Sequence, residues 1–509
     1  MFAETTRHHT STPLLYVDDF LVPEASKTIR PYAFEVPPGT QALRIAIDWD
    51  PRFSRDQESN RKAVDSAVTE WRSEGNRANG SRHMPLDVER YVEKMPNLLN
   101  AILVAPDGSW RGRTDRGRGT PRQPLIVAPG HAPLGFLDGP LTPGTWRLDL
   151  EVHASVHPGC HVQIQVDTTD APEAIIATSS VNSDVTKNTI DAPGWFQGEL
   201  HSHSTHSDGA FEVEVLAERA RGMGYDFMAL TDHNVMTGLP QMQETALPFI
   251  PALELTTFYG HHVVLGAHTA VPWHTDGVRR NINDVVADFH EQGALFTLSH
   301  PFAIGDPVCT GCRWSLPELK AENIDIVEIW WRRWSGDTTD NRSARLLWDD
   351  LWRQGHRPTA VAVRDWHTKQ HEAALPGPLP VTMVGAASTD PADLLDAIRR
   401  GRAYATCGPQ LQFTLSTPLD AHLELGDCGR AAEGRVVANV TLERLEASLS
   451  EEPARAELYC CGELVDERTL SESGTFQLEH NATEAGWYRI EIWSGDSPLC
   501  ITNHIVLTD

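Results

Sequence analysis

Residues Phe196–Asn234 read FQGELHSHSTHSDGAFEVEVLAERARGMGYDFMALTDHN. Two patterns alternate along this stretch. Glu212–Gly222 (EVEVLAERARG) has helical spacing, and Phe227–Leu230 (FMAL) is the short uninterrupted apolar run of a buried strand. Residue types that bind metals cluster where the apolar runs end. His201 and His203 are two apart, so on a strand both imidazoles point to one face. Asp208 follows in a turn, and Asp232 and His233 cap the FMAL run.

The same unit recurs further along the chain. Phe249–Thr257 (FIPALELTT) ends with Glu254, and Gly260-His261-His262 precedes the apolar Val263–Gly266. Ile282–Gln292 has helical spacing, and the run Ala294–Pro301 (ALFTLSHP) after it ends in His300. Ser343–Arg353 is helical and leads into Thr359–Val363, beyond which stand Asp365 and His367; Leu394–Arg400 is a further helix. Helices alternating with short apolar runs over about 193–414 imply α/β architecture, with βα units around a parallel sheet or barrel. In a βα barrel the C-terminal strand ends converge on one mouth, where the chemistry sits. A single HxH or strand-end Asp is ordinary, because turns and helix caps use the same residues. Several apolar runs in one region, each ending in His, Asp or Glu, are better explained by a shared site. Imidazole with carboxylate is a ligand mix that Zn, Mn and Fe accept, and the lack of thiolate argues against a closed structural zinc site. Glu254 can bridge two ions through its two oxygens, and so many ligands suit a cluster of two or three divalent ions roughly 3.5–4 Å apart.

The flanks have a different texture. Before about residue 190 the signals are strands: Ala42–Asp48, Leu99–Val104, Trp146–Val152 and His161–Val166. A charged, helix-capable insert spans roughly Arg55–Lys94, and Arg111, Arg113, Arg116, Arg118 and Arg122 crowd a Gly-rich loop read as solvated. Strand signals return after 415, at Val436–Leu442, Ala456–Tyr459, Thr475–Leu478, Tyr488–Trp493 and Ile505–Leu507. The expected organisation is therefore an N-terminal β-sandwich over 1–190, a barrel over 193–414 and a C-terminal β-sandwich over 415–509. The 509 residues agree with about three domains. Lys plus Arg is 43 against 70 for Asp plus Glu, a net charge of −27 that disfavours nucleic-acid and membrane-surface partners. The N-terminal MFAETTRHHTSTPLL has no basic segment followed by an apolar one, and no apolar run is long enough to span a membrane; a cytoplasmic location is expected. The eight cysteines are not read as a disulfide lattice. Cys309 and Cys312 form a lone CxxC without the second pair of a structural zinc site. Cys460 and Cys461 are adjacent on a strand-like run, which places their side chains on opposite faces.

The set HxH…SDG, TDH, E, GH, SHP and DxH resembles the PHP (polymerase and histidinol phosphatase) superfamily of metallohydrolases over about 193–414. GELHSHSTHSDG, TDHN and ELTTFYGHH resemble its CehA/McbA, carbaryl-hydrolase-like branch. A weaker likeness extends to Val36-Pro37, Pro140–Trp146 (PLTPGTW), Gly401–Pro409 (GRAYATCGP) and Thr502–Val506 (TNHIV). The resemblance implies a distorted (β/α)7 barrel with up to three metals. His201, His203, Glu254 and Asp365 would hold the first ion. Glu254, His261 and His300 would hold the second, and Asp208, His233 and His367 the third. Asp232 would orient an imidazole. His262 rivals His261, and spacing alone does not choose between them, although the GH pattern favours His261. Arg364 stands where a small residue is common, and Trp331 where an Asn is common. Arg364 either pairs with a substrate anion or is neutralised by a carboxylate. Trp330, Trp331 and Trp334 either wall an aromatic pocket or pack the barrel.

The expected activity is hydrolysis of a small-molecule phosphate ester, mono- or diester. Metal coordination brings the pKa of water from about 15.7 towards about 7, which supplies hydroxide at neutral pH. Arg364 or a third ion would steady the leaving oxygen. A carbamate or carboxylic ester hydrolase is the second expectation, and a non-catalytic binding protein the third. No GxSxG context points to a serine nucleophile. The sequence leaves the oligomeric state open.

Overall fold

Alternate side chains of the strand Cys160–Thr169 are buried, the period-2 pattern of a sheet with one face inward. The computed structural model of the protein describes residues 12–74, 88–114, 124–170, 189–334, 340–369, 379–445 and 453–509. They fall into two units, one drawn from Met1–Arg61, Arg90–Val181 and His274–Val278, the other from Lys62–Glu89, Asn182–Trp273 and Arg279–Asp509.

In the first unit, Leu15–Leu21, Cys160–Thr169, Ala42–Asp50 and Leu125–Val127 form one antiparallel sheet. Thr28–Val36, Gly144–Ala154, Leu98–Val104 and Trp110–Arg113 form another. Both sheets contribute to one core, which includes Trp146, Leu148 and Leu150 from the second and Ile45, Val162 and Ile164 from the first. The Arg-rich stretch is not a solvated loop at its start: Arg111 and Arg113 lie on the strand Trp110–Arg113, and Arg113 is buried and paired with Glu151 at 2.8 Å. Arg111 donates to the carbonyls of Pro140 and Leu137. Arg116, Arg118 and Arg122 lie outside the described residues.

The second unit is built on a strand path running Thr359–Val363, Ile326–Trp331, Leu295–Leu298, His261–Leu265, Phe249–Thr256, Phe227–Leu230, Gly194–Glu199. Neighbours are parallel except around His261–Leu265, which is antiparallel to the strands on both sides. The expected run of βα units breaks here for a local reason. Thr257–Gly260 is a tight turn closed by Thr257 N–H donating to Gly260 O at 3.1 Å, and so short a link can only make a hairpin. Just beyond the first and last strands of the path, the segments that follow them meet. Ser202 and Trp366 form a parallel bridge, with His203 N–H donating to Trp366 O and Trp366 N–H to His201 O. The helices Val213–Gly222, Ile282–His290, Asn341–Arg353 and Pro391–Arg399 lie where the sequence periodicity places them.

The same sheet continues past Gly194–Glu199 through Val381–Ala386 and Ala403–Thr406 to Ser497–Thr502, Gly486–Ser494, Ala454–Cys460 and Glu463–Leu470. Gln410–Ser416, Gly434–Glu443, Gly474–Ala482 and the short Leu423–Glu424 form a separate antiparallel sheet. The Thr502–Val506 run has a clear mechanical role. The Asn503 amide accepts from Ala360 N–H at 2.7 Å and donates to the carbonyls of Ala360 and Ala403, both at 2.9 Å. It thereby pins the strand that leads to Asp365 and His367. Next to it, His504 packs among Trp348, Trp352 and Trp487 with ring centroids 4.0–4.6 Å away.

Two cysteine readings change. Cys309 and Cys312 are joined as a disulfide. Cys460 and Cys461 do not point apart: Cys461 has φ 53° and enters the hairpin turn, where strand alternation ends, and the two sulfurs are 3.9 Å apart. Among the described residues no helix is long and apolar enough to cross a membrane.

Asn503→Ala leaves the buried N–H and carbonyl of Ala360 without their partner, so unfolding in urea should show a loss of about 3 kcal/mol. His504 is held well below the ordinary histidine value by burial first and then by Arg489, Arg357 and Arg345. The unfolded chain takes up a proton near pH 6.5 that the folded chain refuses, so stability is intact above that pH and declines below it. His504→Gln should flatten the slope of unfolding free energy between pH 6.5 and 5 by about 1.4 kcal/mol per pH unit.

Candidate metal centre

His201, His203, His233, His300, Asp365 and His367 stand just past the ends of their strands, whereas Glu254 lies within Phe249–Thr256 and His261 opens the hairpin strand; the backbone beside several of them is bent. Non-glycine residues avoid positive φ, yet Asn234, His300, Arg332 and Asp365 have φ of 55°, 31°, 52° and 49°. These are four of the eight such residues among those described, and all four lie at or beside the cluster. Left-handed backbone of this kind costs roughly 1–3 kcal/mol per residue and persists where the surroundings over-determine it.

Glu254 is the centre. It is 1% exposed, and imidazoles approach both its oxygens. His201 Nε2, His261 Nδ1 and His300 Nε2 lie 3.2, 3.3 and 3.4 Å from Oε1. His233 Nδ1 and His203 Nε2 lie 2.8 and 3.4 Å from Oε2. Asp365 Oδ1 lies 3.2–3.4 Å from His203 Nε2, His201 Nε2 and His367 Nδ1. Asp208 Oδ1 is 2.9 Å from His367 Nε2 and 3.5 Å from His233 Nε2. Ligand atoms lie within 4.8 Å of one another in four sets: His203, Asp208, His233 and His367; His201, His300 and Asp365; His201, His203 and Glu254; and His233, Glu254 and His261. The structure thus brings together every residue the sequence suggests as a metal ligand. It also separates the two rivals. His261 faces Glu254, whereas His262 lies across the strand with Nδ1 3.1 Å from Thr297 O and its ring stacked on Phe296. Burial pushes His262 down to about 3.

The charges at the centre are interdependent. Burial opposes ionisation of Glu254, but His201, His233 and His261 outweigh it and hold the carboxyl well below its usual range. Burial likewise opposes a charged His201, and Glu254, Glu328 and Asp365 overcome it. Burial takes His233 down to about 4.

Several supporting residues were not singled out from sequence. Glu328 Oε1 lies 2.8 Å from His201 Nδ1, and its Oε2 accepts from His300 N–H at 2.8 Å. The sequence signal was a carboxylate inside the apolar run IVEIWW. Glu199 Oε1 accepts from the backbone N–H of both His201 and Arg364, tying two ligand segments together. Burial raises Glu199 to about 7 despite Arg364. The Arg364 guanidinium itself faces Glu199 at 3.8 Å, Tyr225 and Met223. Asp232 accepts from Ser204 N–H, Ser204 Oγ and Ser207 Oγ at 2.6–2.8 Å, so it braces the loop between His203 and Asp208. Among the described residues it reaches an imidazole only through Ser207, whose Oγ is 3.5 Å from His203 Nδ1. Trp331 donates from Nε1 to Asp365 Oδ2 at 3.2 Å and presents its ring to His300, whereas Trp330 packs on Trp334.

The donors fit divalent ions. His201 Nε2, His203 Nε2 and both Glu254 oxygens are buried without a hydrogen-bond partner. Buried polar atoms are seldom left so. Lone-pair atoms that face one another at 3.2–3.4 Å are arranged as ligands of shared cations, and the imidazole–carboxylate mix suits Zn, Mn or Fe.

A model of the PHP domain matches residues 199–274, and the chain contains that domain. Among curated proteins it is 51% identical over 41 residues to the DNA polymerase/3'-5' exonuclease PolX of Bacillus subtilis, a match covering 8% of this chain and 7% of that protein. It is 36% identical over 72 residues to the 5'-3' exoribonuclease Rnm of Salmonella typhimurium, covering 13% of this chain and 25% of that one. A 3',5'-nucleoside bisphosphate phosphatase of Chromobacterium violaceum is 34% identical over 82 residues, covering 14% and 29%. The matches therefore span under a third of these relatives' length. Among solved structures, a two-domain protein from Bacteroides vulgatus containing a predicted PHP-like metal-dependent phosphoesterase aligns with a TM-score of 0.37 and 16% identity, over 63% of this chain and 98% of that one.

Glu254→Ala removes a carboxylate shared by five imidazoles. Elemental analysis of the variant should show loss of bound metal, with hydrolytic activity falling in step. Full metal content in that variant would remove Glu254 from the ligand set.

Proposed function

We propose that this protein is a metal-dependent hydrolase of small-molecule phosphate esters, mono- or diesters. The observation that carries the reading is the convergence of His201, His203, His233, His261, His300 and His367 with Glu254, Asp208 and Asp365 in one buried cluster. Two or three divalent ions, zinc, manganese or iron, would be held by these residues, with Glu254 as the shared ligand. When bound, such ions lower the pKa of water towards about 7 and offset charge developing on a phosphoryl oxygen. The chain's own residues fix the ligand geometry. Glu328 orients His201 and the backbone before His300, Glu199 ties the His201 and Arg364 segments, and Asp232 braces the loop carrying Asp208. Arg364 and Asp232 act in this reading as positioning residues.

The strand path over 194–363, with its ends meeting at Ser202 and Trp366, supports a distorted (β/α)7 barrel in which one unit is replaced by a hairpin. We read 1–190 as an N-terminal β-sandwich, 193–414 as the barrel and 415–509 as a C-terminal β-sandwich that shares a sheet with it. The CehA/McbA branch is the preferred placement, on GELHSHSTHSDG and TDHN. A net charge of −27 favours a small-molecule substrate over nucleic acid or membrane.

Elemental analysis should find about two or three divalent ions per chain. The same sample should hydrolyse 4-nitrophenyl phosphate or bis-(4-nitrophenyl) phosphate. Turnover of 4-nitrophenyl acetate alone would move the assignment to a carbamate or carboxylic ester hydrolase. No metal and no turnover after reconstitution would leave a binding protein.

A further inference from the structure

Arg332 stands immediately after the strand Ile326–Trp331 in left-handed backbone, φ 52°. Its Nε donates to Arg364 O at 2.9 Å, and its Nη2 donates to Asp365 O and to Asp365 Oδ2, both at 3.0 Å. The guanidinium lies 4.0 Å above the Trp331 ring, and the side chain is one-fifth exposed. No hydrogen-bond partner among the described residues meets its Nη1. The other oxygen of Asp365 is the one that faces His201 and His203. A fixed positive charge therefore sits one carboxylate away from the candidate metal ligands.

That placement is unfavourable for the metal centre on its own. A cation so close repels the ions the cluster would hold, and the left-handed backbone adds strain. Orienting Asp365 does not require it, because Trp331 Nε1 already donates to the same Oδ2. Arg364, the other guanidinium of this region, is committed to Glu199 and Tyr225. The hydrogen bonds to Arg364 O and Asp365 hold the bend and engage Nε and Nη2, which leaves the Nη1 face for an anion bound at the mouth. Guanidinium presents N–H groups in a planar fork that matches phosphate oxygens.

We propose that the open Nη1 edge of Arg332 binds the non-bridging oxygens of a terminal phosphate group, making Arg332 the residue that selects doubly charged phosphomonoesters over neutral esters. The inference rests on the phosphate-ester reading above and narrows it to a substrate class. A divalent cluster flanked by one more fixed positive charge suits a dianion better than a diester monoanion, and a neutral carbamate least.

The test uses the full-length, metal-loaded protein and the variants Arg332→Gln and Arg332→Lys. Calorimetric binding of inorganic phosphate is measured alongside kcat/KM for 4-nitrophenyl phosphate, bis-(4-nitrophenyl) phosphate and 4-nitrophenyl acetate. Elemental analysis checks the metal content of each variant. In Arg332→Gln, phosphate binding and monoester kcat/KM should each fall about 10–100-fold, the range expected for losing a charged hydrogen bond. The diester should fall less, acetate by under about 3-fold, and metal should be retained. Arg332→Lys, which keeps the charge and loses the fork on Asp365, should recover part of the phosphate affinity. Unchanged phosphate binding in Arg332→Gln, an equal fall on all substrates, or loss of metal would overturn the assignment and leave Arg332 a support for Asp365. A wild-type protein that binds phosphate through Arg332 yet hydrolyses no phosphate ester would overturn the proposed function while sparing this inference.

Discussion

A carboxylate buried to 1% exposure with five imidazoles around it is the condition on which the second unit depends. Taking a charge out of water costs several kcal/mol unless partners compensate, and Glu254 obtains that compensation from side chains carried by separate strand ends. His201 and His203 extend from Gly194–Glu199, His233 from Phe227–Leu230, His261 from the hairpin strand, and His300 from Leu295–Leu298. The positions of those strands are therefore coupled through one side chain. Asp365 repeats the arrangement on the far side of the cluster, where His367, His201 and Arg332 overcome burial and hold it ionised.

The same coupling explains features that look costly in isolation. Left-handed backbone at His300, Arg332 and Asp365 is sustained because neighbouring hydrogen bonds leave no alternative: His300 N–H is committed to Glu328, and Arg332 to the carbonyls of Arg364 and Asp365. The last strands of the chain serve this end as well. Asn503 reaches into the sheet to hold Ala360, and His504 fills the space among Trp348, Trp352 and Trp487 behind it. A segment more than a hundred residues from Asp365 in sequence thus supports the strand that delivers it.

The candidate ligands were legible because metal chemistry is restrictive in residue type and because strand and helix periods are local. Phe227–Leu230 and Val213–Gly222 can be read from neighbours within one or two turns of chain. Glu328 was harder to see, since its role comes from His201, 127 positions away. His261 and His262 could not be separated for a related reason. Adjacent residues on a strand face opposite sides, so the choice depends on the register against Phe249–Thr256, where Thr256 pairs with His261. Arg364 and Arg332 show the same limit in charged groups: each reaches several ångströms, and its partner is whatever the fold places there.

Residue order alone determined the α/β alternation, the set of candidate ligands and their tendency to fall at strand ends, since these follow from side-chain chemistry and short-range periodicity. The antiparallel hairpin in the strand path, the inward choice of His261, the proximity of the Cys460 and Cys461 sulfurs and the placement of Arg332 rather than Arg364 beside the cluster were decided only by tertiary structure. Each of these turns on strand register or on a single backbone bend. Those are set by packing between segments far apart in sequence, which no local pattern encodes.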